Sequence, residues 1–131
     1  MITRVLLGVA AIYFVLGLAL GLHMGLIADY RLWVVYAHIG GLGWLSLGLV
    51  GGLYLAWPAL SQNIFATAHF WLHMIGLPVL LIGLTMTQLD AFATGHLLGV
   101  IGAIMLLIGA VALVINFWTY VGRDVQRAIR N

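Results

Sequence analysis

The sequence predicts an all-α integral membrane protein, a four-helix transmembrane bundle, on three observations. Hydrophobic residues make up 65% of the 131 and charged residues 6%, whereas roughly a quarter of the residues of a soluble domain are charged. Mean hydropathy is +1.20. Apolar runs at about residues 5–27, 33–57, 66–87 and 95–121 each meet the roughly 20 residues that a spanning helix needs. Residues 1–121 are read as one transmembrane domain and 122–131 as a basic cytoplasmic tail.

The first run starts just after Arg4 and exceeds the usual apolar core of a signal peptide, so it is read as a mature helix. Gly17, Gly21 and Gly25 give it a small-residue ridge for close helix approach. Gly48 with Gly52, and Gly95 with Gly99 and Ala103, repeat that spacing in the second and fourth runs. The connections are short, which implies a compact bundle. Ala28 to Leu32 carries Asp29 and Arg31, Pro58 to Phe65 carries no charge, and Gln88 to Thr94 carries only Asp90. Arg4 at one end and Arg123, Arg127 and Arg130 at the other place both termini in the cytoplasm by the positive-inside rule. The expected location is a bacterial inner membrane, with lipid as the surrounding partner.

Composition also excludes chemistry. With no cysteine, disulfides, iron–sulfur clusters and thiolate zinc sites are ruled out. A formal charge of +2, from five arginines and three aspartates, is too small for nucleic-acid binding. The ligands that remain are histidine, methionine and a few carboxylates, and they must act within the bilayer or at its surface.

An ionisable residue inside a spanning helix is a functional candidate by default. His38 lies in such a place, in the run Trp33-Val-Val-Tyr-Ala-His-Ile-Gly-Gly-Leu-Gly-Trp44. It is either a neutral imidazole bonded to a neighbouring helix or a metal ligand. At 1.5 Å per residue, His23 and His38 are both placed roughly 10 Å to the outer side of the midplane, which makes His23 a possible second ligand. His69 and His73 share one face of the third helix. They serve either structure or a copper or zinc ion, which normally takes three or four donors. His96 opens the fourth helix at the outer boundary, and Asn116, deep in that helix, is expected to hydrogen-bond between helices. A b-type haem fits this inventory better than a bare ion, because it needs one or two interior imidazoles, an apolar slot with glycine facing the ring, and polar groups for its propionates. Arg31, seven residues above His38, is either such a propionate contact or a headgroup contact.

The segments His38-Ile-Gly-Gly-Leu-Gly-Trp44, Gly51-Gly-Leu-Tyr54 with Pro58, and His69-Phe-Trp-Leu72 with Gly76 resemble the last third of the catalytic subunit of C-type haem–copper cytochrome oxidases. Gly99, Gly102, Gly109, Asn116 and Thr119 continue the likeness through the fourth helix. The resemblance covers most of this chain but about four of that subunit's twelve helices. It implies one of the three four-helix arcs of the oxidase architecture. In the family the matching second helix carries His-x-His, for the high-spin and low-spin haems. Here Tyr36 stands at the first position and His38 at the second, so the resemblance implies only the low-spin haem ligand. The copper ligands and cross-linked tyrosine of the oxidase lie on helices absent from this chain, so a complete terminal oxidase is not expected. His69 matches a family histidine that is not an iron ligand, His73 stands where the family usually has none, and His96 falls near a basic residue, which implies a propionate contact.

A single arc implies self-association, as a dimer sharing a haem between two copies of His38 or as a threefold ring using His23 or His73 as second ligand. The expected function is a membrane b-type haem protein for electron transfer or for sensing a gas such as oxygen or nitric oxide. Two alternatives stand beside it. One is a cofactor-free oligomeric module that assembles with or regulates a respiratory complex. The other is binding or transport of copper or zinc on the His69/His73 face.

Overall fold

In a computed structural model that describes the backbone of residues 1–130 and the side chains of residues 1–120, the chain is an all-α bundle with four spans. They are α1 (Ile2–Ile27), a second span (Trp33–Ala56) made of three helical pieces, α4 (Ile64–Gln88) and α5 (Phe92–Arg130), and no strand occurs among the described residues. α5 continues as helix past the expected end of its span to Arg130, so the backbone of the basic tail to that point is helical. The side chains of Arg123, Arg127 and Arg130 lie outside the described residues.

The second span departs from the expected uninterrupted α-helix. It runs as α2 (Trp33–His38), a π-helical segment (Ile39–Ser46) and α3 (Leu47–Ala56). A π turn opens the backbone spiral by one residue and is rare beyond a single turn. Gly40, Gly41 and Gly43 fall inside it, and glycine's weak preference for the α-helix lowers the cost of leaving it.

Glycine seams set the packing within each helix pair. A Cβ on Gly43 would lie 2.6 Å from Tyr13 Cγ, and one on Gly51 would lie 2.9 Å from Leu7. Gly17 meets Ile39 and Gly21 meets Tyr36 at 3.3 and 3.0 Å, whereas Gly25 and Gly52 face open space. Between α4 and α5 the approach is backbone to backbone. A Cβ on Gly83 would overlap the Gly99 amide and lie 2.7 Å from Gly95 O, and one on Gly102 would overlap the Leu80 amide and lie 2.7 Å from Gly76 O. The seam on α5 therefore uses Gly95, Gly102 and Gly109, spaced by seven, rather than the expected Gly95, Gly99 and Ala103. Gly99 presents backbone to the seam while its own Cβ direction is open.

The two pairs meet near the end of the bundle that carries the first residue of α1. Leu6, Ala10, Leu47, Val50, Tyr54, Leu60, Ala66 and Phe70 form a buried cluster there, with Leu113, Phe117 and Tyr120 of α5 packed against it. Asn116, 1% exposed, is its polar centre. Its Nδ2 donates to Leu60 O at 2.8 Å and to the Tyr54 hydroxyl at 3.3 Å, and its Oδ1 accepts from Asn63 Nδ2 at 2.7 Å. Asn63 also caps α4, its Oδ1 accepting from the Ala66 amide. Asn116 thus bonds between helices, as its position implied, and ties the loop after α3 to α5. The exposed faces of the spans carry many large apolar side chains. Little of α1 is buried within the chain, so most of that helix is left to lipid.

At the opposite end, Ala28 and Asp90 close α1 and α4 with φ of 52° and 67°, the left-handed geometry in which helices commonly end. Asp29 and Arg31 follow as a forked pair, with Arg31 NH2 2.8 Å and Nε 3.0 Å from Asp29 Oδ2. The guanidinium hydrogen bonds and the Arg31 amide hold the Asp29 carboxyl below its usual range. A depressed carboxylate contributes its stabilisation above the unfolded-state pKa and loses it as pH falls through the folded one. The fork is therefore expected to be intact at neutral pH and to open only below about pH 4. A carbon-13 NMR titration of the Asp29 carboxyl checks this, and a midpoint at or above that of a free aspartate would contradict it.

Candidate functional site

The five histidines separate into three environments. His23 and His96 are exposed. His96 stacks on Phe92, one turn earlier in α5, with ring centroids 5.7 Å apart and planes within 5°. His23 borders a cleft of about 160 Å³ with Met24, Ile27, Asp29, Arg31, Leu32 and Leu89, and His38 is not among its walls.

The contacts of Gly21 with Tyr36, Gly17 with Ile39 and Gly43 with Tyr13 fix the antiparallel register of α1 against the second span. His38 is level with residues 18–19 of α1. His23 stands about five residues, roughly 7 Å, further toward the α1–α2 connection. The shared level expected from sequence is thus replaced by a separation of about one turn, because α2 begins nearer the middle of the bundle than an equal division of the spans supposes. Arg31 is engaged by Asp29 rather than directed down the helix toward His38.

His38 is half-buried, at the junction of α2 and the π segment. Its Nδ1 lies 2.8 Å from Val34 O. A carbonyl only accepts, so Nδ1 carries the proton and donates it, and Nε2 keeps its lone pair. Gly41, three residues on, meets nothing in its Cβ direction. With Gly40 it lines an apolar groove of about 350 Å³, together with Tyr13, Phe14, Gly17, Tyr36 and Trp44 among others. His38 does not line that groove, so Gly40 and Gly41 bare their backbone on a different side of the second span from the imidazole.

His69 and His73 are 2% and 4% exposed, buried where α4 meets α5 and the π segment. His69 Nδ1 donates to Gly109 O at 3.1 Å, and His73 Nε2 donates to Leu42 O at 3.1 Å. Their ring centroids are 5.3 Å apart, edge to face. The i, i+4 face predicted from sequence is therefore present. The Leu42 carbonyl, supplied by the π segment, was not foreseeable from side-chain types, and the Gly40-Gly41-Leu-Gly43 run was its only sequence signal. No group of three or more His, Asp or Glu gathers among the described residues.

Fold and site together define a multi-pass four-helix membrane bundle with buried and half-buried imidazoles. Compared with known protein families, with characterised proteins and with solved structures, the chain matches none.

Proposed function

We propose that the protein is a b-type haem electron carrier of a bacterial inner membrane, with both termini in the cytoplasm and His38 as axial ligand. The observation that carries this reading is the 2.8 Å bond from His38 Nδ1 to Val34 O. Ligating histidines donate their second ring N–H to a carbonyl or carboxylate, which fixes the tautomer and raises the basicity of the ligating nitrogen. Haem would supply the one-electron couple.

The register sets His23 a turn away from His38, so the second ligand in this reading is His38 of a second copy, the haem lying between two apolar faces. With both axial positions filled by imidazole no site is open to a gas, which favours electron transfer over oxygen or nitric oxide sensing. Arg31 and His96, at the rim of the bundle, are the polar groups nearest in kind to what propionates require. Arg31 keeps 61% of its side chain exposed despite its bond to Asp29.

Protein purified from haem-replete membranes is expected to give a Soret band and sharp reduced α bands, with one haem per two chains. His38→Ala is expected to abolish both bands while His96→Ala retains them. A colourless, folded native protein would sink the haem reading and leave the cofactor-free module that assembles with a respiratory complex. For that alternative the structure offers the glycine seams and the Asn116 network, which join the four spans through protein contacts.

A further inference from the structure

We propose that the furrow between α1 and the second span holds one phospholipid with a zwitterionic phosphoethanolamine head, an acyl chain lying in the furrow and the head at the Asp29–Arg31 fork. Two clefts make up the furrow, of about 350 and 530 Å³, and Leu18 and Tyr36 line both. Its walls are apolar and aromatic. Gly40 and Gly41 form part of its floor, and among the described residues nothing stands within 4 Å of their Cβ directions.

The length of the furrow selects an acyl chain. One end lies at Tyr30 and Trp33, beside the α1–α2 connection. The other lies at Phe14 and Trp44, whose rings bridge the two helices with centroids 5.0 Å apart. Both residues stand at the middle of their spans, Ile2–Ile27 and Trp33–Ala56. Trp33 and Trp44 are eleven residues apart, roughly 16 Å along a helix and close to half of the roughly 30 Å of bilayer hydrocarbon. The furrow therefore covers one leaflet. Beyond it the helices close, with Gly51 packed against Leu6 and Leu7. A helix of a second copy would need a face running through both leaflets, whereas an acyl chain reaches from the interface to the midplane and stops.

The connection end supplies the head site. Tyr30 and Trp33 are exposed there, amphipathic rings at the level where headgroups begin. Met24 lines the cleft between them and also the smaller one of about 160 Å³ that Asp29 and Arg31 border, so the chain and head positions adjoin. Arg31 turns Nε and NH2 to Asp29, which leaves its NH1 donors for a phosphate. The Asp29 carboxylate, its side chain 34% exposed, offers an acceptor to a primary ammonium. The two charges of the fork cancel, so it matches a head that carries both signs and has no net attraction for an anionic one. This is the headgroup role that the sequence left open for Arg31.

Native mass spectrometry tests this on the full chain, released from vesicles that hold equal amounts of phosphoethanolamine, phosphoglycerol and phosphocholine lipids with identical chains. One retained phosphoethanolamine lipid per chain is expected. Gly41→Leu and Leu18→Trp, which fill the furrow from the second span and from α1, are each expected to lose it. Gly52→Leu adds the same side chain at a glycine that faces open space outside the furrow, and is expected to keep it. Leu18→Trp leaves the π segment untouched, so the two filled variants separate blockage from a rearranged second span. Arg31→Gln is expected to lower retention about tenfold, the loss of one hydrogen bond to a charged group. No retained lipid, retention unchanged in both filled variants, or preference for either other head would overturn the proposal. Recovery of an isoprenoid quinone in place of the phospholipid from native membranes would overturn it as well. A colourless protein that still retains the lipid would end the haem reading alone, so the two proposals fail separately.

Discussion

Replacing Gly83 by alanine is expected to destabilise the bundle by about 2–3 kcal/mol, the upper part of the roughly 1–3 kcal/mol range for forcing atoms into a packed interface. The added methyl would overlap the Gly99 amide and stand 2.7 Å from both Gly95 O and Gly99 Cα. These are backbone atoms of a facing helix and no side chain can swing aside, so α4 and α5 must separate along the seam. Gly102→Ala, which would meet the Leu80 amide and Gly76 O, is expected to cost a similar amount. Gly99→Ala is the control. Its Cβ direction is open, and alanine is the better helix former by about 1 kcal/mol, so that variant is expected to match or exceed the native protein. Reversible unfolding in mixed micelles measures all three, and equal stabilities for Gly83→Ala and Gly99→Ala would refute the seam.

Asn116→Leu is expected to cost about 2 kcal/mol. Interhelical hydrogen bonds in membranes contribute about 0.6 kcal/mol on average and up to about 1.7, and Asn116 makes three contacts of this kind, with Leu60, Tyr54 and Asn63. Leucine keeps the volume but strands the buried Tyr54 hydroxyl and removes one of the two acceptors of Asn63 Nδ2, whose amide partner Oδ1 caps α4. The loop at 57–63 should loosen along with the global loss, seen as faster amide exchange at Ala66. Tyr54→Phe, which removes only the 3.3 Å contact, is expected to cost less than 1 kcal/mol. A Tyr54→Phe variant as unstable as Asn116→Leu would show that the hydroxyl, rather than the loop tether, dominates the network.

The spans themselves were legible because bilayer thickness imposes a length on apolar runs, and their observed ends fall within about three residues of the expected ones, except that α5 runs on as helix to Arg130. Asn116 was legible for a related reason, since an amide deep in an apolar helix must find a partner. The glycine seam was only half legible. Gly95, Gly99 and Ala103 suggested spacing by four, but two antiparallel helices that stay in contact over several turns favour a repeat nearer seven, which selects Gly95, Gly102 and Gly109. The relative depth of His23 and His38 depended on where α2 starts against α1, a register set by Tyr13, Ile39 and Tyr36 resting on glycines of the opposite helix.

What the sequence determined by itself is the class of molecule: a four-span helical membrane protein in which imidazoles are the foremost candidates for chemistry, because composition and run length leave no other fold for such a chain. What only the tertiary structure decided is which imidazole nitrogens are free. A histidine's two nitrogens are equivalent in a sequence, and they become donor and lone pair only when a particular carbonyl stands 2.8 to 3.1 Å from one of them. Val34, Gly109 and Leu42 provide those carbonyls. The last is within reach of His73 through a π segment whose backbone path no pattern of apolar residues foretells.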